Sequence, residues 1–199
     1  MKSRTNISWA LVGILLFVAG LGIGAYYSNE ILVYFLPFDK GEYPRQSGGE
    51  GVVVSDTDTF LKMSLLEQPL PLIFSDTLDE PVIQELLREG AVVLPLGTNF
   101  GEPGNVVVTA HSTGTTSFGP YRFAFAKLSE LEEGQEFSVK TGGAVYTYKV
   151  FGSEIVWPHE VDKLPNDDRS TVTLVTCWPL WTNFKRLLVH GELVNTAYN

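Results

Sequence analysis

Two regimes of hydrophobic patterning divide this chain. Residues 7–27 run for 21 positions without a charge, whereas from about residue 59 apolar residues recur in short runs broken by Gly, Pro, Asn and Asp. A helix rises 1.5 Å per residue, so about 20 such residues cross a hydrocarbon core of about 30 Å. Trp9 at one end of the run and Tyr26 and Tyr27 at the other suit the two interfacial belts, and Lys2 and Arg4 lie outside the first end. That asymmetry predicts a cytoplasmic N-terminus, with everything after about residue 28 across the membrane. The run exceeds the core of about 7–15 residues usual in a cleaved signal peptide, and no A-x-A site follows it. The expectation is a cytoplasmic tip and single-pass transmembrane helix over residues 1–28, in a cell membrane.

Residues 29–58 change character twice. Ile31–Phe38 is apolar and reads as a membrane-proximal segment, and residues 41–58 hold Gly-Glu-Tyr-Pro-Arg-Gln-Ser-Gly-Gly-Glu-Gly and then Ser-Asp-Thr-Asp, a linker composition. Beyond them, residues 59–199 form the folded domain. Runs dominated by Val, Ile, Thr, Tyr and Phe predict strands at Ala91–Leu94, Asn105–Ala110, Gln135–Lys140, Ala144–Val156, Thr171–Thr176 and Arg186–Leu193. One helix is predicted at Asp79–Arg88, where acids and Pro81 open the segment and Gly90 follows it. Many short strands and few helices argue a mainly β fold, a closed or nearly closed barrel rather than an alternating α/β sheet.

Composition narrows the function. Lys and Arg number 14 against 23 Asp and Glu, a net charge of −9, so the totals show no basic face for nucleic acid. A single cysteine excludes an internal disulfide and any CxxC-type zinc or redox site.

The residues able to do chemistry are therefore few. Cys177 ends the strand Thr-Val-Thr-Leu-Val-Thr-Cys, whose alternation puts Thr171, Thr173, Val175 and Cys177 on one face. Pro179 cannot continue a central ladder, so the thiol sits at the strand's end. His111 ends Gly-Asn-Val-Val-Val-Thr-Ala-His, and Arg186 opens the last strand. A thiolate nucleophile needs a proton partner, and a tetrahedral oxyanion needs a positive donor. One Cys, one His and one Arg at three strand mouths supply those roles, although spacing alone does not show that they converge. His190 shares a face with Arg186 by alternation, and His159 follows Pro158 in a loop.

These residues resemble a known family. Thr173-Leu174-Val175-Thr176-Cys177 is similar to the TLxTC signature of the sortases, membrane-anchored cysteine transpeptidases of bacterial surfaces. Gly104–His111 resembles their histidine strand and Lys185–Val189 their arginine strand, in the family's order, over roughly residues 70–194. The resemblance implies an eight-stranded β-barrel with one or two short helices. It implies Cys177 as nucleophile, His111 as proton carrier and Arg186 at the oxyanion or substrate backbone. Thr176, Ala110, Trp157 and Trp178 would be substrate-binding, with Trp157–Arg169 in the place of the recognition loop. The partners implied are surface proteins with a C-terminal LPxTG-like sorting signal, and an amine on a cell-wall precursor or on another surface protein. No metal or cofactor is called for.

Some features depart from the family pattern. Residues 39–70 hold no Asp-Pro-Phe or Asp-Pro-Trp lid motif, and Glu102, Glu130, Glu132, Glu133 and Glu136 read as solvated acidic loops rather than a calcium site. A papain-like enzyme would place its cysteine before its histidine, and an L,D-transpeptidase would carry a Ser-His-Gly-Cys-type motif. Both arrangements are absent. The alternative from another class is a membrane-tethered β-barrel binding module with a non-catalytic cysteine.

Overall fold

A computed structural model describes residues 59–164 and 168–198. The predicted anchor, the Ile31–Phe38 segment and the linker lie outside these residues. Among the described residues no helix is long and apolar enough to cross a membrane. Eight strands run in chain order: β1 (Phe60–Met63), β2 (Leu70–Phe74), β3 (Ala91–Leu94), β4 (Gly104–Thr109), β5 (Glu136–Thr141), β6 (Ala144–Val156), β7 (Ser170–Trp178) and β8 (Lys185–Tyr198). They close into a barrel in the order β1-β2-β3-β4-β7-β8-β6-β5. The six strands predicted from alternation are present, and β1 and β2 complete the eight. One α-helix, α1 (Glu80–Leu86), joins β2 to β3, and short 3₁₀ turns occur at Thr116–Phe118, Leu128–Glu130 and Pro158–Lys163.

Alternation explains the barrel. Every strand sends its alternate residues inward, among them Leu61, Leu72, Val93, Val108, Val139, Val150, Leu174 and Val189, all in one buried cluster. Aromatic rings from β5 and β6 fill the centre, where Phe137 stacks on Tyr148 with centroids 5.5 Å apart. The Tyr148 hydroxyl accepts the Gly101 N–H at 3.1 Å. Burial pushes its pKa up to about 12. Between β5 and β6 the two-residue turn Gly142-Gly143 has φ of 58° and 76°, the double positive φ that a tight hairpin needs and glycine supplies without strain.

Two pairings are parallel and need crossovers. β2 reaches β3 through α1, which starts where Asp79 stays extended and Pro81 occupies the first turn. The helix lays Ile83 and Leu87 on Val92, on the outer side of β3. β4 pairs with β7 in parallel from Gly104↔Ser170 to Thr109↔Val175. The outer side of this wall is apolar too, with Val107, Val175 and Leu188 buried and Leu94, Val156 and Leu164 packed against them. β7 is thus covered on both faces in its middle, and only its end opens.

Candidate active site

That open end carries the thiol. β7 and β8 are antiparallel, and their register sets Cys177 directly opposite Arg186, so the two side chains share the outer face of the barrel. On the other flank, the parallel register from Thr109↔Val175 continues through the Ala110 N–H bond to Val175 O at 3.2 Å. Advancing it by two residues brings His111 level with Cys177. Three residues that lie 66 and nine positions apart in sequence therefore occupy adjacent strand ends. Both Cys177 and Arg186 are half-buried, while His111 is 8% exposed.

Loop contacts fix the imidazole. Phe125 N–H donates to the His111 carbonyl at 2.8 Å. The Phe118 ring lies over the imidazole, with centroids 4.8 Å apart and planes tilted by 33°. Burial pushes the His111 pKa below the usual histidine value, and the negative charge of Glu80 at the start of α1 pulls the other way. A neutral ring, able to take a proton, is favoured at neutral pH. The Arg186 guanidinium donates through Nη1 to the carbonyls of Asn183 and Lys185, each at 3.1 Å, which folds the β7–β8 turn against it.

A sortase-domain family model matches residues 73–194. The chain belongs to the sortase family. Sortase A of Bacillus anthracis is 25% identical over 127 residues, a match spanning 64% of this chain and 55% of that protein. The chain thus spans little more than half the length of this curated relative. Among solved structures, sortase C of Clostridium perfringens, determined with the C-terminal cell wall sorting motif, is 29% identical with a TM-score of 0.55. That match covers 68% of this chain and 69% of the other. Sortase C-1 of Actinomyces oris is likewise 29% identical with a TM-score of 0.55, covering 69% and 73% of the two chains. Sortase C of Streptococcus pneumoniae is 25% identical with a TM-score of 0.58, covering 73% and 72%.

Other residues singled out in the sequence of this sortase fall in varied places. Thr176 and Ala110 are 2% and 4% exposed; they sit against the core side, where the Thr176 hydroxyl donates to the Ala110 carbonyl at 2.8 Å. Trp157 and Trp178 line a groove of about 640 Å³ with Ile155, Pro179, Phe184 and Lys185. The strand registers put this groove on the opposite face from Cys177 and Arg186. Lys185 Nζ lies 4.9 Å from the Trp157 ring centroid. His159 is exposed in the 3₁₀ turn after β6. His190 is buried on the same face as Arg186, two rungs below it. Its Nδ1 is 3.0 Å from Thr173 Oγ1, its Nε2 is 3.3 Å from Glu154, and its ring stacks on Phe151.

The five glutamates considered as a calcium site are exposed, and Glu102 accepts hydrogen bonds from Thr98 and Asn99, which hold its carboxyl below the usual range. Among the described residues no cluster of three His, Cys, Asp or Glu could hold a metal ion. Sequence reasoning missed Ser112, Phe118 and Asn105. Asn105 carried a signal, being an amide inside a valine-rich strand. Its Oδ1 accepts from both Thr171 and Thr173, at 3.1 and 3.0 Å, and so joins β4 to β7 on the outer face.

Proposed function

We propose that this sortase is a cysteine transpeptidase that cleaves an LPxTG-like sorting signal and transfers the acyl group to an amine, attaching proteins to the cell surface. The observation that carries this reading is the convergence of Cys177, His111 and Arg186 on adjacent strand ends. The structural likeness to a sortase C solved with a sorting motif supports the substrate class.

The chemistry follows from the groups. Cys177 gives its proton to the neutral His111 ring as sulfur attacks the carbonyl carbon of the scissile peptide bond. Arg186 donates hydrogen bonds to the oxyanion. The tetrahedral species collapses, the C–N bond breaks, and His111 hands the proton to the leaving amine, which departs and leaves a thioester on Cys177. An incoming amine then attacks the thioester and loses a proton to His111, which returns it to the sulfur as the new amide forms. Proton transfer of this kind is typically worth about 10²–10⁴-fold, and one oxyanion donor about 10²–10³-fold. In keeping with its apolar run at residues 7–27, the protein would sit in the cell membrane with its N-terminus cytoplasmic and residues 59–199 outside.

Residues 50–199, incubated with pooled LPxTG-like peptides and mixed amines, are expected to yield amide products and a thioester adduct by mass spectrometry. Cys177→Ala, His111→Ala and Arg186→Ala should each abolish turnover, and Arg186→Lys should approach the alanine variant because lysine lacks the planar fork of donors. Unchanged turnover in Cys177→Ala would end this reading in favour of a binding module.

A further inference from the structure

Side-chain hydroxyls hold the last steps between β4's continuation and β7. The final main-chain bond on this side runs from Ala110 N to Val175 O. Beyond it, Thr176 Oγ1 donates to Ala110 O at 2.8 Å, and Ser112 Oγ donates to Cys177 O at 3.0 Å. These two bonds bracket His111, one anchored on the residue before it and the other on the residue after. Ser112 is only 1% exposed, so water does not readily replace its hydroxyl. One residue further, Thr113 Oγ1 accepts the Trp181 N–H at 3.1 Å, within the turn whose Asn183 carbonyl receives Arg186.

The bond from Ser112 reaches the main chain of the nucleophile's own residue. Without it, the segment carrying His111 stays joined to β7 before the imidazole, and the next tie after it, from Trp181 N–H to Thr113, reaches the following turn rather than the residue that bears the thiol. Movement of the His111 segment between those remaining ties then changes how far the ring stands from the sulfur. Resting on the transpeptidase reading above, we infer that Ser112 is a positioning residue: its hydroxyl, by holding the Cys177 carbonyl, sets the spacing and orientation of thiol and imidazole. Displacement by about 1 Å in such a pair can cost about 10²-fold in rate.

The test uses the full-length protein with Ser112→Ala and Ser112→Thr. Three quantities are measured: kcat and KM on a sorting-signal peptide, the thermal midpoint, and the pH profile of Cys177 alkylation by iodoacetamide, which needs no substrate. Ser112→Ala should lower kcat by about 10–100-fold with KM within about twofold, and displace the alkylation profile. Ser112→Thr, which keeps the donor, should recover the wild-type profile. If the larger threonine prevents folding, Ser112→Ala alone decides, since it removes one atom and leaves the packing volume nearly intact. An alkylation profile in Ser112→Ala identical to wild type overturns the inference, whether activity is kept or falls only with the thermal midpoint. If wild type forms no thioester with any sorting peptide and Ser112→Ala still displaces the profile, the transpeptidase reading fails and the positioning role stands.

Discussion

The Phe118 ring lies over His111, whose burial lowers its pKa. Phe118 shields the imidazole from water, and Gly114 makes that possible, because a Cβ at Gly114 would come within 2.5 Å of the Phe118 ring. Phe118→Ala should readmit water and move the His111 pKa up toward the usual value of about 6.5, read from the imidazole proton shifts in an NMR titration. The sign for stability follows from linkage. Burial depresses the folded-state pKa, so on acidification the unfolded chain takes up the proton first. Wild-type stability therefore falls as pH drops below about 6.5 toward the folded value, and this loss should shrink in Phe118→Ala. Thermal melts from pH 8 to pH 5 check it; parallel curves for the two proteins would show that Phe118 does not govern the histidine. His190 is depressed in the same direction by burial and contributes the same slope to both proteins, so the comparison isolates His111. At this scale the sequence showed which groups could react, because residue type and strand-end position are local properties. Phe118 and Ser112 were not legible, since what they touch is decided by how a loop folds back.

Strands were legible where apolar, β-branched or aromatic residues dominate a run. β6 and β7 declare themselves with long β-branched and aromatic runs. β3 is no longer than β1, but its Ala-Val-Val-Leu run is wholly apolar and follows Gly90, whereas β1 is interrupted by Lys62 and β2 holds Pro71, so neither stands out from the surrounding loops. β8 extends to Tyr198, beyond the predicted Leu193, because pairing with β6 continues from Leu193 to Tyr198 across a register shift that the sequence does not mark. Helix α1 is shorter than predicted at each end, at Glu80–Leu86 rather than Asp79–Arg88, as Asp79 remains extended and the last turn tightens. Within β8, Gly191 faces the inner aromatic pair. A Cβ there would lie 2.6 Å from the Phe137 ring and 3.1 Å from Tyr148 Cβ, both deep in the core. Gly191→Ala should therefore cost about 1–3 kcal/mol by overpacking, visible as a lower urea midpoint. An unchanged midpoint would show that the stacked rings yield freely.

The described residues form a sheet closed on itself, and its class was legible from strand density and the scarcity of helices. Its closure was expected as well, but not the seam that completes it, because the β1–β5 pairing of Leu61 with Val139 joins segments about eighty residues apart, and β1 was not among the strands read from the sequence. The strand order also gives the chain a timetable. β8 comes last in sequence yet stands between β7 and β6, so during synthesis those two strands have no common neighbour until it arrives. Contacts of such long sequence separation form slowly. A chain stopped after Phe184 would hold both thiol and imidazole but expose two unpaired edges, each a template for association. It should aggregate, and its Cys177 should label with maleimide as fast as in urea; native-like protection in that truncated chain would refute the timetable. A nascent polypeptide therefore carries Cys177 and His111 for some time before the strand bearing Arg186 arrives. That strand joins β7 to β6, so on the transpeptidase reading proposed above a complete site and a finished fold arrive together.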